Sequence, residues 1–425
     1  MMIVMGSAHQ RIPMKFRFTL PQKLLLPVLI GYYSMNFMDR SVLGIVGEAM
    51  KADMGFTDAQ LGLLHSILLM TLIALIFPCS IFNDLFKRRL VIGIGAGLWG
   101  MGMALTAAAT GFAGLVFARI LGSANEAATG SGGTAWLSSI YPAEKRGRVL
   151  GTFQMSAPLG MALGTLLGGG VLALTGSWRL SFALFVVPAL AAAFCIPRLP
   201  DRQPAAAGGF FAGVKGLLRV RTILLGALAT GLYSIIKYSY QTWMPVLLIR
   251  SYGLEPQYAA PLAACFLLAG ACGPYLGGML ADAWSKKYAG GRVKAASFLL
   301  FLIVASKALF YCMMGRVSLP VICVMGIVDG IVLMMPIPAY FSFIQDVVSP
   351  QYRSSATGLF GTLVFFTGGA WGPLMVGVLS DWMGGGASGL LHAMTALLAF
   401  AVASGMVFGL TVRSYIKESV PQKQE

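Results

Sequence analysis

The sequence predicts an all-α membrane protein with 12 transmembrane helices in two pseudo-symmetric six-helix bundles. Three observations predict it. The 425 residues are 57% hydrophobic and 11% charged, with a mean hydropathy of +0.78. No polar stretch is long enough for a soluble domain, and the chain instead repeats apolar runs of about 20 residues, enough to cross a ~30 Å hydrocarbon core. Such runs must be helical, because lipid cannot satisfy an exposed backbone. Local patterns in the first half recur in the second, on either side of a Pro-, Gly- and charge-rich stretch at 198–219. The expected units are an N-terminal bundle (1–197), a cytoplasmic linker (198–219) and a C-terminal bundle (220–425).

Span 1 (24–48) follows a basic stretch and carries Tyr32, Asn36, Asp39 and Arg40. Nothing in the first 20 residues reads as a cleavable signal peptide. Span 2 (59–83) contains His65, a packing histidine or a member of a proton path. In span 3 (89–109), Gly93, Gly95 and Gly97 lie inside a membrane run without βαβ context, which makes them weak as a dinucleotide motif. Span 4 (112–140) holds Arg119 and Glu126, seven residues apart and therefore on one face, with Gly122 between them. Span 5 (147–174) spaces Gly160, Gly164 and Gly168 for close helix packing. Span 6 (178–197) opens on Trp178-Arg179.

After the linker, span 7 (221–249) places Tyr233, Lys237 and Tyr240 at helical spacing. Span 8 (258–283) ends in Asp282 and a basic pair. Span 9 (294–314) carries Lys307 and span 10 (318–347) Asp329, which are expected to pair with each other. Span 11 (354–383) includes Gly372-Pro373, and span 12 (388–412) closes the set. The six cysteines are scattered through spans without a close pair, so buried packing is expected.

Charge sets the orientation. With both termini inside, 23 of the 31 Lys and Arg residues fall in cytoplasmic segments and four in outer ones. The positive-inside rule then puts both termini in the cytoplasm, in a multi-pass plasma membrane of the bacterial inner-membrane type. The net charge of +16 reflects this bias. It meets anionic inner-leaflet lipid and requires no nucleic acid.

Seven charges lie deep within the apolar segments: Asp39, Arg40, Arg119, Glu126, Lys237, Lys307 and Asp329, a set that sums to +1 when fully ionised. Charge at bilayer depth is costly and marks ion or substrate paths. Asp39 and Arg40 are adjacent, so they diverge by about 100° on a helix. Tyr32, Asn36 and one of the two form a polar stripe. Arg40 and Arg119 offer planar forks suited to a carboxylate or phosphate. Glu126, then Asp39, are the candidate proton carriers. Lys237 between Tyr233 and Tyr240 is a candidate anion contact facing the central cavity.

Ser80-Ile-Phe-Asn-Asp84-Leu-Phe-Lys-Arg88-Arg89 after span 2 matches Gly278-Met-Leu-Ala-Asp282-Ala-Trp-Ser-Lys286-Lys287 after span 8. Arg146 and Gly151 before span 5 match Arg353 and Gly358 before span 11. At these residues the chain resembles the major facilitator superfamily over essentially its whole length, with Ser80 and Lys87 departing from the family's first loop. Asn36-Phe-Met-Asp39-Arg40, Arg119, Glu126 and Trp178-Arg179 resemble both the anion:cation symporters and the Spinster-like transporters. Thr57-Asp-Ala-Gln-Leu-Gly62-Leu-Leu and Pro158-Leu-Gly160-Met-Ala-Leu-Gly164 lean Spinster-like.

The resemblance implies functional acids at Asp39 and Glu126 and a gate at the cytoplasmic loops involving Asp84, Arg88, Arg146, Asp282 and Arg353. The expected function is proton-coupled transport of a small organic anion by alternating access. A lysolipid or other amphiphile is the alternative cargo, and a non-transporting membrane sensor the alternative class. No catalytic constellation appears, and no cofactor, metal or nucleic-acid partner is expected. The expected state is a monomer in the bilayer.

Overall fold

The structure, a computed structural model, describes residues 21–141, 149, 152–201, 220–348 and 353–419. Every long regular element among them is helical. In the first half, α1 is Leu25–Met54, α2 Asp58–Leu85, α3 Arg88–Ala108, α4 Phe112–Ile140, α5 Ser156–Thr175 and α6 Trp178–Arg198. In the second, α7 is Arg221–Tyr252, α8 Pro256–Lys287, α9 Gly291–Met313, α10 Leu319–Tyr340, α11 Gly358–Trp382 and α12 Gly386–Glu418. Ten segments among the described residues are long and apolar enough to cross a membrane. The other two, α1 and α4, are 30 and 29 residues long and carry Asp39, Arg40, Arg119 and Glu126. Most of the 198–219 stretch lies outside the described residues.

The halves repeat in detail. Gly55 (φ 69°) ends α1 and Gly253 (φ 63°) ends α7, each in the left-handed region that glycine adopts without strain. Between the halves, α1 packs on α7, α2 on α11 and α5 on α8. Advancing each helix by six places maps the α2–α11 contact onto the α8–α5 contact. The end that holds Gly55, Gly253 and Trp382 is here the far end. The end where Leu199 and Val220 anchor the linker is the linker end.

Glycine lets α1 sit deep against its neighbour. A Cβ on Gly160 or Gly164 of α5 would collide with the backbone of Ser34 or Met38. That contact fixes the rotation of α1, and with it the directions of Asn36, Asp39 and Arg40. In α11 a π-helical turn, Phe365–Gly369, interrupts the α-helix. It stacks Phe365 on Tyr238 of α7, ring centroids 5.9 Å apart. Such turns recur at functional sites, and this one shapes the wall described next.

Candidate functional site

The adjacent charges Asp39 and Arg40 of α1 both find partners on α4. Arg119 Nη1 donates to Asp39 Oδ1 at 2.7 Å, and Trp99 Nε1 donates to Asp39 Oδ2 at 3.4 Å. Each side chain of this pair is only 3% exposed. Arg40 turns away and donates through Nη2 to Glu126 Oε2, and here 16% and 15% of the side chains stay exposed. Two ion pairs on the same two helices thus differ in access. One is sealed; the other can meet water or a ligand.

A turn earlier on α1 lies an amide network. Tyr32 donates its hydroxyl to Asn125 Oδ1, Asn125 Nδ2 donates to Asn36 Oδ1, and Asn36 Nδ2 donates to the Tyr32 carbonyl at 2.9 Å. Thr129 adds a bond to Asn125 Oδ1 at 3.1 Å. Tyr32 and Asn36 are therefore buried and joined to α4. The sequence reading missed Asn125, although it adjoins Glu126 and lies one turn from Thr129.

Between the halves lies a cavity lined by Arg40, His65, Arg119, Tyr238, Gln241 and Thr242, with an apolar wall of Leu64, Leu68, Leu69 and Met161. Its free space is about 40 Å³. That admits about three waters or one carboxylate-sized group. Arg40 Nε, Arg119 Nη2 and His65 Nε2 are each buried without a hydrogen-bond partner among the described residues. His65 Nδ1 lies 3.3 Å from Thr242 Oγ1, tying α2 to α7. The packing role expected for His65 is thus joined by a place in the cavity wall.

The expected Tyr233–Lys237–Tyr240 stripe divides. Tyr233 donates to the Leu333 carbonyl at 2.7 Å, inside the second half. The Tyr240 ring lies 3.6 Å from Lys307 Nζ, which is paired with Asp329 at 2.8 Å. Lys237 lies over the neighbouring Tyr238 ring at 4.6 Å and, unlike Tyr238, is not part of the cavity lining. The reason is rotational: the close approach of Gly231 and Gly368 sets how α7 meets α11. Of the four cations set deep in the spans, Arg40, Arg119 and Lys307 are paired, and Lys237 has no acidic partner among the described residues.

At the linker end, Asp282 pairs loosely with Arg292 at 3.7 Å, and Arg292 grips both oxygens of Asp346 at 2.8 and 2.7 Å. The Arg88 side chain is 8% exposed. Arg146 and the side chains of Asp84 and Arg353 lie outside the described residues.

The far end holds a cluster that the sequence reading treated only as scattered outer charge. Arg250 of α7 reaches across to Asp58 of α2, at 2.8 and 2.6 Å, and to Glu48 of α1 at 2.7 Å. Lys51 also bonds Asp58, and Ser380 of α11 donates to it at 2.7 Å. Asp381 accepts from the backbone N–H groups of Asp58 and Ala59, at 3.0 and 2.7 Å. It thereby caps the positive N-terminus of α2 from the other half. The signal was present: Arg250 is one of four basic residues expected at that end.

Membrane-length helices around a small charged cavity, shut at one end by ion pairs, fit a multi-pass membrane transporter. The family model for the Major Facilitator Superfamily matches residues 29–373, and the chain belongs to that superfamily. It is 25% identical over 377 residues to a hexuronate transporter of Bacillus subtilis, covering 84% of this chain and 89% of the relative. It is 24% identical over 393 residues to protein spinster homolog 3 of Danio rerio, covering 84% and 76%. Its fold is that of a bacterial homolog to the human lysosomal transporter Spinster, with a TM-score of 0.83 at 20% identity over 94% of this chain and 99% of that one.

Proposed function

We propose that this transporter carries a small organic carboxylate, coupled to protons, by alternating access between its halves. One observation carries the reading: Arg40, Arg119 and His65 line one cavity, and each keeps a buried nitrogen without a partner among the described residues. Buried polar groups are normally satisfied. A carboxylate would supply the missing acceptors to the two arginines, and His65 would take a hydroxyl or carboxylate oxygen according to its tautomer. The hexuronate transporter relative is in keeping with a carboxylate cargo.

Glu126 competes with that cargo for Arg40. When Glu126 takes a proton, its charge is cancelled and the guanidinium is released to the incoming carboxylate. When the cargo leaves, Glu126 reclaims Arg40 and gives up the proton. Asp39, sealed with Arg119, holds the second arginine in place and is the lesser proton candidate. Lys237 adds positive field beside Tyr238. In this reading the linker end faces the cytoplasm, the far-end cluster is the outer gate, and Asp84, Arg88, Arg146, Asp282 and Arg353 serve the inner one.

The apolar wall of Leu64, Leu68, Leu69 and Met161 favours an amphiphilic anion as the second reading. Counterflow and pH-gradient uptake in proteoliposomes, with a hexuronate in one arm and a lysophospholipid in the other, separate the two. The expected result is hexuronate accumulation that a protonophore abolishes. Lysophospholipid exchange with no movement of any carboxylate would overturn the first reading.

A further inference from the structure

A second site lies well away from the cavity, on the outer face of the second half near the linker end. Helices α9 and α12 approach closely there, because Gly405 faces the Phe301 ring and Gly409 faces Ser297. Ser297 Oγ donates to the Gly405 carbonyl at 2.8 Å and pins the contact. Beside it opens a groove of about 440 Å³ lined by Lys294, Ser297, Phe298, Phe301, Val412 and Arg413. Phe298 and Phe301 remain 48% and 42% exposed.

Lys294 in the first turn of α9 and Arg413 near the end of α12 flank the mouth of this groove. Neither has an acidic partner among the described residues. The nearest candidates are engaged elsewhere. Asp282 and Asp346 hold Arg292, Asp346 also accepts from Tyr415, and Glu418 caps the start of α7 through Arg221 and Thr222. Trp284 and Tyr288 stand beside the mouth, with Lys294 5.6 Å from the Tyr288 ring and Trp284 5.4 Å from Phe298. Trp and Tyr with basic residues mark the headgroup level of a bilayer.

We propose that this groove binds one anionic phospholipid, its phosphate between Lys294 and Arg413 and an acyl chain along Phe298 and Phe301. Charge complementarity selects the headgroup, since basic pockets between spanning helices suit anionic lipid. The exposed phenylalanines select a lipid over a free phosphate, which would leave them uncovered.

The test uses the full-length protein in detergent, titrated with phosphatidylglycerol, phosphatidylcholine or glycerol phosphate. Native mass spectrometry reads bound lipid, and thermal unfolding reads stabilisation. Phosphatidylglycerol is expected to bind and stabilise, and the other two are not. Lys294→Gln with Arg413→Gln is expected to lower phosphatidylglycerol affinity by about 30-fold, as for two interfacial cations. Lys294→Arg with Arg413→Lys should keep it, which separates charge loss from misfolding. Lys23→Gln with Lys87→Gln, at the same end but in the other half, should change it less than threefold. Equal stabilisation by phosphatidylcholine, equal loss in the Lys23/Lys87 control, or full stabilisation by glycerol phosphate alone would each overturn the proposal. So would a dimer that the Lys294/Arg413 charge-removal variant dissolves, because the groove would then serve a second copy of the chain.

Discussion

Glu126→Gln tests the coupling step most directly. The change is nearly isosteric and removes one negative charge from a pair whose side chains are 16% and 15% exposed. A hydrogen bond to a charged group contributes roughly 1.5–3 kcal/mol. Glutamine can still accept one bond from Arg40, so the lower end of that range applies. If the cargo displaces Glu126 from Arg40, removing that competition should tighten carboxylate binding by about tenfold, at roughly 1.4 kcal/mol per decade. The sign with pH follows from linkage. In the proposed scheme wild-type binding takes up a proton, so affinity should fall as pH rises, by at most about tenfold per unit. In Glu126→Gln it should be flat. Calorimetry with a hexuronate at pH 6 and pH 8, in two buffers of different ionisation heat, reads both affinity and protons taken up. Proteoliposomes should show exchange preserved and pH-driven accumulation lost. A mutant that still takes up one proton per cargo would refute the reasoning and transfer the role to another acid, Asp39 first.

Arg40→Ala should weaken carboxylate binding about 10- to 100-fold and Arg40→Lys by less, since lysine keeps the charge but not the planar fork; calorimetry ranks the three proteins. Arg119→Met leaves Asp39 buried without its cation, which costs about 3–5 kcal/mol for a buried pair. Its unfolding temperature in detergent should drop well below that of Arg40→Ala, and equal values would contradict the sealed geometry. Arg250→Ala should open the far end, read as faster labelling of a cysteine placed at Gln60. Unchanged labelling would mean that the ion pairs there do not hold the halves together. Lys237→Met should alter affinity less than Arg40→Ala, because Lys237 is not part of the cavity lining; an equal loss would return it to the binding site.

Much of the fold was legible because lipid leaves the chain few choices. Apolar runs, their lengths and the repeated loops at Asp84 and Asp282 are properties of the sequence alone. The divergence of Asp39 and Arg40 was legible too, since adjacent helical residues cannot point the same way. Which acid meets which arginine was not. Arg119 and Glu126 share a face of α4, and the choice between them depends on how far α1 is advanced and rotated. Backbone contacts at Gly160 and Gly164 decide that. The stripe on α7 failed for the same reason. Spacing put Tyr233, Lys237 and Tyr240 on one side, but tertiary packing turned both tyrosines toward Leu333 and Lys307. The far-end cluster joins residues 58, 250 and 381, whose meeting depends on the closure of one half against the other.

The paired charges on α1 also have a mechanical meaning. Asp39 and Arg40 leave the helix in different directions, yet both end on α4. A helix held by a single tether can spin about its long axis. One held by two tethers on different sides cannot, because any spin that slackens one stretches the other. For α1, then, twisting against α4 costs an ion pair. If cargo displaces Glu126 from Arg40 as proposed, one tether between α1 and α4 is released, while the Asp39 pair and the Tyr32–Asn125–Asn36 network stay fastened.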